Sequence, residues 1–345
     1  MYHVILAGGR GQRFWPLSTE EKPKQFLNII DNSSLIKSTY MRLLKISSHK
    51  NIFIITSEKY VKIIRKQIPD IEIDNIIIEP SPKNTAPAIY LATSYIYSLD
   101  ENATIGVYPS DHYIKNDKKF VKTINKINKY LNNKTDSIIT IGVEPFFPST
   151  SYGYIEKDKN SNNDFSNINS FIEKPNISKA KKLITKKNIL WNSGMFFYSS
   201  KFMIDEIENY IPELKKLFNS YPINIKNISK TLNINWKKIN SQSIDKAVLE
   251  KTKNSLCIKS DFSWSDVGTW KALFELLPKD EANNALIGTY KQHDANNNLI
   301  FSKNKLTCLV GVDNLAVINT DNITLVVDLS KSDEIKHLIK KISQK

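Results

Sequence analysis

Glycines and cations crowd into one short segment near the start of the chain. A brief apolar run leads into Gly8, Gly9 and Gly11, although the protein has only 10 glycines in 345 residues. Because glycine lacks a side chain, backbone N–H groups there can approach a ligand closely, and successive N–H groups form an anion-binding concavity. Arg13 and Lys24 follow and add two cations. This combination predicts a site that holds a polyphosphate and reacts upon it.

Two common phosphate-binding motifs do not match this segment. The dinucleotide fingerprint needs a third glycine where Phe14 stands, and no Gly-Lys-Ser/Thr closes the loop as a P-loop requires. An ordinary glycine-rich turn beside a surface arginine therefore remains an alternative for this string alone. The strings Trp15-Pro16-Leu17-Ser18 and Pro23-Lys24-Gln25-Phe26 extend the pattern and favour a functional loop.

With these strings, the chain resembles the sugar-1-phosphate nucleotidyltransferases, and among them the mannose-1-phosphate guanylyltransferase branch. Gln12 stands where that family usually has a small hydroxyl residue. The resemblance implies transfer of GMP from GTP to α-D-mannose 1-phosphate, giving GDP-mannose and pyrophosphate for polysaccharide synthesis. Two alternatives remain open: a relative with a different nucleotide or hexose, and a non-catalytic regulatory homologue that binds nucleotide sugars.

The family match also implies roles for residues on the nucleotide side. Arg13 and Lys24 are the expected catalytic residues, because they would neutralise the phosphates of the nucleotide and the departing pyrophosphate. Asn84 and Thr85 lie in Asn-Thr-Ala-Pro-Ala, which in the family lies at the base. The expected nucleotide-binding residues are Leu6, Ala7, Gly8, Gly9, Gly11, Asn84, Thr85 and Ser110.

Two aspartates match the family's metal-binding positions. Asp111 follows a predicted strand, and Asp266 lies between two tryptophans. Either alone could be a turn or N-cap residue. Together they predict a Mg²⁺ site, since magnesium takes one or two carboxylates plus phosphate oxygens and water.

Four segments in the second half resemble the sugar side of the family's site. The expected sugar-phosphate-binding residues are Gly153, Glu173, Lys174, Asn192, Gly194 and Asp245. In this assignment Glu173 and Asn192 meet sugar hydroxyls, and Lys174 meets the 1-phosphate. Ser151 stands where relatives usually have glycine, and Asp245 could equally be an N-cap.

Short β-branched runs alternate with helical patterns in the first half. The predicted strands are His3–Ala7, Ile52–Thr56, Ile76–Ile78, Ile105–Tyr108 and Ile138–Ile141. This alternation predicts an α/β fold with a Rossmann-like, mostly parallel sheet and helices on both faces. A polar hairpin is expected at 157–170 and an Asn- and Lys-rich variable stretch at 219–238.

The pattern changes after Trp270 to short alternating segments. These are Leu299–Phe301, Thr307–Val310, Ala316–Ile318 and Thr324–Val327, with a final helix at 333–342. The expected domains are a nucleotidyltransferase domain at 1–275 and a small β-rich domain at 276–345. The resemblance implies a left-handed β-helix-like unit there. No room is expected for the isomerase domain that some relatives carry.

The formal charge of +14 arises from lysines spread along the chain, which is typical of a solvated surface in a Lys-, Asn- and Ile-rich composition. We therefore expect no nucleic-acid partner, and the lack of a long apolar run predicts no membrane association. Cys257 and Cys308 indicate neither a disulfide framework nor a zinc site. Since no signal peptide is recognised, a cytoplasmic location is expected. A homodimer is a possible assembly.

Overall fold

The chain folds into two compact units whose segments alternate along the sequence. The computed structural model describes residues 1–9, 11–159, 164–218 and 236–342. The first unit comprises Met1–Gly8, Thr39–Ser110 and Ile114–Trp264. The second comprises Gly9–Ser38, Asp111–Tyr113 and Ser265–Lys345. The glycine-rich loop is thus grouped with the C-terminal β segments. The domain boundary expected between residues 275 and 276 remains a prediction, because each compact unit is built from several separate segments of the chain.

Strands and helices alternate through the described chain. The strands are β1 Tyr2–Leu6, β2 Ile52–Ser57, β3 Ile76–Glu79, β4 Thr104–Pro109, β5 Tyr113–Lys115, β6 Ile138–Val143, β7 Tyr154–Lys157, β8 Phe165–Ile172, β9 Ile189–Ser199, β10 Ser255–Lys259, β11 Ser263–Ser265, β12 Ala285–His293, β13 Leu299–Val310, β14 Leu315–Asn319 and β15 Thr324–Asp328. The α-helices are Leu35–Leu43, Val61–Gln67, Thr85–Leu99, Asp117–Leu131, Ile177–Leu183, Ser200–Tyr210, Pro212–Phe218, Trp270–Leu276 and Ile335–Ile342.

Nine strands form one sheet in the order β3-β2-β1-β4-β9-β6-β10-β8-β7. The pairings give every strand except β8 and β9 the same direction, so the expectation of a mostly parallel sheet is confirmed. Strand β9 enters between β4 and β6 and runs against both. β7 and β8 form the predicted hairpin, of which residues 160–163 lie outside the described chain.

Helices cover both faces of this sheet, as the alternation predicts. Val107 of β4 belongs to the core cluster that contains Ile89 of helix Thr85–Leu99. The next residue, Tyr108, packs its ring 6.2 Å from that of Phe120 in helix Asp117–Leu131. Because successive strand residues point to opposite faces, the two helices lie on opposite sides of the sheet.

The second unit holds a four-stranded sheet in the order β12-β13-β14-β15, with the first three strands parallel. Its turns carry buried asparagines: Asn298 Nδ2 donates to the Val312 carbonyl at 2.9 Å, and Asn298 N–H donates to Asn284 Oδ1 at 2.9 Å. Stacked parallel strands with asparagines at the turns are typical of a β-helix-like fold. Of the variable stretch predicted at 219–238, residues 219–235 lie outside the described chain.

Two boundaries in this unit differ from the sequence prediction. The segments Leu299–Phe301 and Thr307–Val310 are parts of one strand, β13. Its exposed middle, 303–306, contains the polar residues Lys303, Asn304 and Lys305. Pairing with β12 resumes after a bulge, so these polar residues do not end the strand. The final helix is α-helical only over Ile335–Ile342, because Leu329–Glu334 form a 3₁₀ turn.

Residues from both ends of the chain build the core of the second unit. The shared members include Phe14, Leu27, Trp270, Phe301 and Ile335. The loop after the glycines is therefore held by the C-terminal β segments. In the part of the chain that is described, no helix is both long and apolar enough to cross a membrane.

Candidate active site

Lys24 is the centre of a cluster of charged groups in the second unit. Its Nζ lies 2.8 Å from Asp111 Oδ2 and donates a hydrogen bond to the backbone carbonyl of Asp266. The Lys24 side chain is 6% exposed, whereas that of Asp111 is 33% exposed. One buried lysine thereby joins the two aspartates that the sequence analysis assigned to a metal.

Local structure fixes the position of Lys24. It begins a short 3₁₀ turn, Lys24–Phe26, and Gln25 Nε2 of that turn donates to the Gly9 carbonyl at 2.9 Å. Gly11 has a φ of +46°, and a Cβ on it would lie 2.8 Å from both the backbone N and the Cβ of Lys24. Only glycine lets the loop pass this close to the lysine.

The Asp266 side chain is held by a tight turn. Its Oδ1 accepts a hydrogen bond from Gly268 N–H at 3.0 Å, and a Cβ on Gly268 would lie 2.7 Å from Oδ2. Val267 between them has a φ of +45°, a conformation that bulky residues rarely adopt. Trp270 follows and packs edge-on against Phe14, with ring centroids 4.7 Å apart. The second-unit core therefore supports this turn.

Asp111 is ionised because its neighbours offset its desolvation. Burial of the carboxyl raises its pKa, but the charge and hydrogen bond of Lys24 outweigh that effect. His112 Nε2, 3.9 Å from Asp111 Oδ1, acts in the same direction. The net result is a pKa of Asp111 below its usual range, so the group is a carboxylate at neutral pH.

The donor set of Asp111 and Asp266 fits magnesium. Both carry hard carboxylate oxygens, and Lys24 contacts the carboxylate of Asp111 and the backbone carbonyl of Asp266. Within the described ranges, no three His, Cys, Asp or Glu side chains are grouped to hold a metal ion. Two carboxylates would therefore leave most of the coordination shell to water and substrate phosphates, as magnesium commonly does.

Arg13 is not brought into the Lys24 cluster. It lies in the 3₁₀ turn Gln12–Phe14 and its side chain is exposed. Among the described residues, no hydrogen bond or ion pair of its guanidinium is found. Arg13 is accordingly a solvated cation, open to an anionic ligand.

The carboxyl ends of β1 and β4 lie side by side in the first unit. Ser110 N–H donates to the Leu6 carbonyl at 3.2 Å, and Ala7 N–H donates to the Ile55 carbonyl at 2.9 Å. Thr56 Oγ1 donates to the Ala7 carbonyl at 3.1 Å. Ligands of open α/β sheets bind at this edge, where the sequence analysis expected the nucleotide.

Asn84 and Thr85 already have structural partners. Asn84 has a φ of +70°, and its Oδ1 caps helix Thr85–Leu99 by accepting from Thr85 N–H at 2.9 Å. Thr85 Oγ1 accepts a hydrogen bond from Ile244 N–H at 2.8 Å. The two side-chain oxygens expected at the base are therefore engaged by the backbone, and the expected base contact stays a prediction.

Glu79 is a functional candidate that the sequence analysis did not assign. It ends β3, it is 5% exposed, and burial raises its pKa to about 7. A Cβ on Gly8 would lie 2.2 Å from Glu79 Oε1. The available signal was an acidic residue directly after the apolar run Ile76–Ile78, at the carboxyl end of a parallel strand.

The residues expected on the sugar side lie together in the first unit. Asn192 N–H donates to the Gly153 carbonyl at 2.8 Å, and a Cβ on Gly153 would lie 2.8 Å from Glu173 Oε2. The Lys174 ammonium pairs with Glu173 Oε1. Asn192 Nδ2 donates to Asp245 Oδ1 at 3.0 Å. Four separate segments of the chain thus meet in one cluster.

The Asn192 amide has a fixed orientation within this cluster. Its Oδ1 accepts from Thr140 Oγ1 at 2.9 Å and from Gly194 N–H at 3.1 Å. Gly194 has a φ of +71°, which glycine adopts without strain. One amide hydrogen of Asn192 remains for another acceptor, because the other is used by Asp245.

Two carboxylates and one cation make the sugar-side cluster polar. Burial, and then the charge of Glu173, raise the pKa of Asp245 to about 6. Lys174 is more than half exposed and opposes that shift. Carboxylates at this spacing accept hydrogen bonds from neighbouring hydroxyls, and an exposed ammonium suits a phosphate.

Ser151, which stands where relatives usually have glycine, introduces no backbone strain into the loop before Gly153. Ser151 is absent from the described residues with positive φ, so it needs no glycine, and its N–H donates to Ser149 Oγ at 3.1 Å. Tyr152 then packs between Trp191 and Trp264, with centroid distances of 5.0 and 5.3 Å. Aromatic packing therefore positions the segment that leads to Gly153.

Two family models match the chain. The model described as "Nucleotidyl transferase" matches residues 2–283, and the model described as "MannoseP isomerase/GMP-like beta-helix domain" matches residues 292–342. A mannose-1-phosphate guanylyltransferase of Escherichia coli is 34% identical over 347 residues, covering 97% of this chain and 74% of the relative. A Klebsiella pneumoniae protein of the same name is 32% identical, covering 99% of this chain and 74% of the relative.

Solved structures give the same grouping. A Thermus thermophilus protein described as mannose-1-phosphate geranyltransferase has a TM-score of 0.89 at 25% identity, covering 99% of both chains. A Helicobacter pylori protein described as mannose-6-phosphate isomerase has a TM-score of 0.62 at 26% identity, covering 76% of this chain and 98% of the other. The likeness to the first spans both the α/β sheet and the C-terminal β segments.

Proposed function

The chain belongs to the mannose-1-phosphate guanylyltransferases, a branch of the nucleotidyltransferase family, and from this membership we propose that it makes GDP-mannose. A phosphate oxygen of mannose 1-phosphate attacks the α-phosphorus of GTP in line with the departing group. The new bond joins that oxygen to the α-phosphorus, and the bond from the α-phosphorus to the bridging oxygen breaks. GDP-mannose and pyrophosphate are the products.

The Lys24 cluster is the observation that carries this proposal. A reaction between two phosphates needs fixed cations and metal-binding carboxylates more than it needs a covalent intermediate. Lys24 is buried and directed by Asp111 and the Asp266 carbonyl. Because its ammonium is buried, it is less solvated than that of a surface lysine. Its fixed position preorganises it to stabilise negative charge that develops during the reaction.

We assign charge stabilisation to Lys24 and Arg13. Lys24 acts on the α-phosphate as a compact fixed charge, and the exposed Arg13 fork receives the leaving pyrophosphate. Asp111 and Asp266 are the proposed Mg²⁺ ligands. Magnesium bound there would supply further charge neutralisation of the phosphates.

The remaining nucleotide contacts are proposed for the strand ends and the glycine loop. Backbone N–H groups of the glycine loop cradle the phosphates, because successive N–H groups attract anions. Asn84 retains its amide donors and Thr85 its hydroxyl hydrogen for the base. The proposed residues are Leu6, Ala7, Gly8, Gly9, Gly11, Asn84, Thr85 and Ser110.

Mannose 1-phosphate is proposed to bind at the sugar-side cluster. Glu173 and Asp245 accept hydrogen bonds from sugar hydroxyls, and the free Asn192 hydrogen donates one. Lys174 holds the 1-phosphate, while Gly153 and Gly194 allow close backbone approach. No general base is needed, because the attacking phosphate oxygen is already anionic.

Further parts of the proposal concern the protein's surroundings. GTP and mannose 1-phosphate are the proposed partners, with a homodimer as the assembly. The unpaired cysteines, of which Cys308 is exposed, suit a reducing compartment such as the cytoplasm. We retain 1–275 as the catalytic domain and 276–345 as the β-rich domain.

Pyrophosphate release with Mg²⁺, measured across a matrix of nucleoside triphosphates and hexose 1-phosphates, tests the proposal. We expect release with GTP and mannose 1-phosphate and little with other pairs. Asp111→Asn is the matched control, with a turnover lower by roughly 100-fold or more because one metal carboxylate is lost. Release with a different pair would overturn the substrates, and no release with any pair would favour a non-catalytic homologue.

A further inference from the structure

Two adjacent phenylalanines lie exposed in the loop that joins β6 to β7. Phe146 is 77% exposed and Phe147 is 41% exposed, and Pro145 and Pro148 flank the pair. Each proline fixes its own φ, which restricts the backbone on both sides of the two rings. Apolar residues that are exposed singly are ordinary, but two neighbouring exposed rings call for an explanation.

Both rings pack on one buried tryptophan. The ring centroids of Phe146 and Phe147 lie 5.1 and 4.9 Å from that of Trp191, which is 1% exposed. Phe147 also contacts Tyr152, with centroids 6.2 Å apart, and Tyr152 itself packs on Trp191 at 5.0 Å. Phe147, Tyr152 and Trp191 thus form a ring cluster in which each member contacts the other two.

The two partners of Phe147 directly precede residues of the sugar-side cluster. Tyr152 is followed by Gly153, and Trp191 is followed by Asn192. The two segments are neighbours in the sheet, because Tyr154 pairs with Trp191 in the register of β7 and β9. The Asn192 N–H also donates to the Gly153 carbonyl at 2.8 Å. The ring cluster is therefore attached to the backbone that carries both Gly153 and Asn192.

The ring cluster lies behind the sugar-side groups and not among them. Trp191 belongs to the ring cluster, whereas the side chain of Asn192 donates to Asp245 at 3.0 Å. Successive residues of a strand point to opposite faces of a sheet, which accounts for this separation. Phe147 is therefore placed to act on the sugar side through the backbone of its partners.

Hydrogen bonds connect the backbone of Phe147 to the same strand. Ser149 N–H donates to the Phe147 carbonyl at 3.0 Å, and the Tyr154 hydroxyl donates to the Ser149 carbonyl at 2.8 Å. Tyr154 is the first residue of β7. These bonds do not involve the Phe147 ring, so a variant without the ring tests the ring contacts alone.

We propose that Phe147 is a positioning residue for mannose 1-phosphate, an inference that rests on the proposed function. Its ring holds Tyr152 and Trp191 in place and thereby fixes the spacing between Gly153 and Asn192. The residues expected to bind the nucleotide follow other strands, β1, β3 and β4. Loss of the ring should therefore weaken binding of the sugar phosphate and spare that of GTP.

Steady-state kinetics of Phe147→Ala, with each substrate varied in turn, tests this assignment. We expect the KM for mannose 1-phosphate to rise about tenfold, because displaced binding groups lose much of their contact with a ligand. The kcat and the KM for GTP should stay within about twofold of wild type, since the lost contacts serve the ground state and the transition state alike. Phe147→Tyr keeps the ring and should restore the wild-type KM.

Phe146→Ala is the matched control. Among the described residues, the Phe146 ring contacts Phe147 and Trp191 but not Tyr152, and it is the more exposed of the pair. Its loss should leave the KM for mannose 1-phosphate within about twofold of wild type. Melting temperatures of all variants establish that they are folded under assay conditions. Should Phe147→Ala melt below the assay temperature, Phe147→Leu provides the same comparison, with the same selective rise expected.

Three outcomes would overturn the proposal. The first is an unchanged KM for mannose 1-phosphate in Phe147→Ala. The second is an equal rise in the KM for GTP, which would show a general disturbance of the sheet. The third is an equal effect of Phe146→Ala, which would mean that contact with Tyr152 has no part in the effect. Absence of pyrophosphate release by the wild type would instead contradict the proposed function itself.

Discussion

At the scale of single residues, two of the buried ionisable groups, Lys24 and Glu79, differ in how their charge is balanced. Lys24 is buried with its charge matched by Asp111, 2.8 Å away. Glu79 is buried with no matched charge among the described residues. The first carries a charge that an ion pair balances, whereas burial of the second raises its pKa to about 7.

The unmatched Glu79 carboxylate predicts a pH-dependent stability. Burial raises its pKa from 4.5 to about 7, so the folded state holds a proton that the unfolded state releases between those values. The free energy of unfolding of the wild type should therefore fall as pH rises through this window, by about 3 kcal/mol from this group. Glu79→Gln has no such proton. Its stability relative to wild type should be near zero below pH 4.5 and rise to about 3 kcal/mol above pH 7.

Urea unfolding of both proteins without nucleotide, from pH 4.5 to 8, measures this difference. A stability difference that stays constant across the series would show that Glu79 does not titrate in this way. The sequence signal for Glu79 was its position, and the sequence did not show its burial. The chain indicates an acid after an apolar strand, but its burial depends on Gly8 and Ser57, which are distant in sequence.

At the scale of elements, the loop Gly9–Lys24 depends on one backbone conformation. Gly11 has a positive φ, and its Cα lies against Lys24. Gly9, two residues earlier, has no atom within 4 Å of a Cβ placed on it. The two glycines therefore provide a matched pair for separating backbone strain from the mere loss of a glycine.

Gly11→Ala should destabilise the protein by about 1–3 kcal/mol, because a left-handed conformation and a clash with Lys24 combine. It should also lower pyrophosphate release by displacing the ammonium. Gly9→Ala should change the free energy of unfolding by less than about 0.5 kcal/mol. Chemical denaturation of the two variants provides the measurement. Equal losses in both would mean that crowding at Gly11 does not govern the loop.

Elements with a clear pattern were predictable from the sequence. The predicted strands in the first half match β1, β2, β3, β4 and β6 to within two residues at each end. They were predictable because strands buried on both faces of a parallel sheet are continuous apolar, β-branched runs bounded by polar turns. β13 was predicted as two pieces. Its exposed middle, 303–306, has no partner in the β12 register, and pairing on either side of it makes the segment one strand.

At the scale of the whole molecule, the C-terminal β segments belong to the same compact unit as the loop that carries Lys24. Phe14 and Trp270 share a core with Leu299, Phe301 and residues of the last helix. The loop that carries Lys24 and the turn that carries Asp266 both pack on it. The sequence could not predict this arrangement, since the two halves of that core are separated by more than 200 residues.

The variants Leu299→Ala and Leu306→Ala distinguish loss of the shared core from the effect of any leucine-to-alanine change in β13. Leu299 is fully buried and Leu306 is 58% exposed, although both lie on the same strand. Leu299→Ala should cost about 2–5 kcal/mol through lost burial and a cavity, and its activity should fail at a lower temperature. Leu306→Ala should stay within about 0.5 kcal/mol of wild type. Thermal unfolding and activity measured together check both, and equal melting temperatures would refute the shared core.

The shared core also has a consequence for biosynthesis. Translation proceeds from the N-terminus, so the ribosome releases the glycine loop first and its packing partners near residues 299–335 last. Until those late residues emerge, Phe14 and Leu27 lack the part of their core that Leu299, Phe301 and Ile335 supply. A nascent or prematurely terminated chain can therefore fold its first sheet while the loop that carries Lys24 still lacks part of its core.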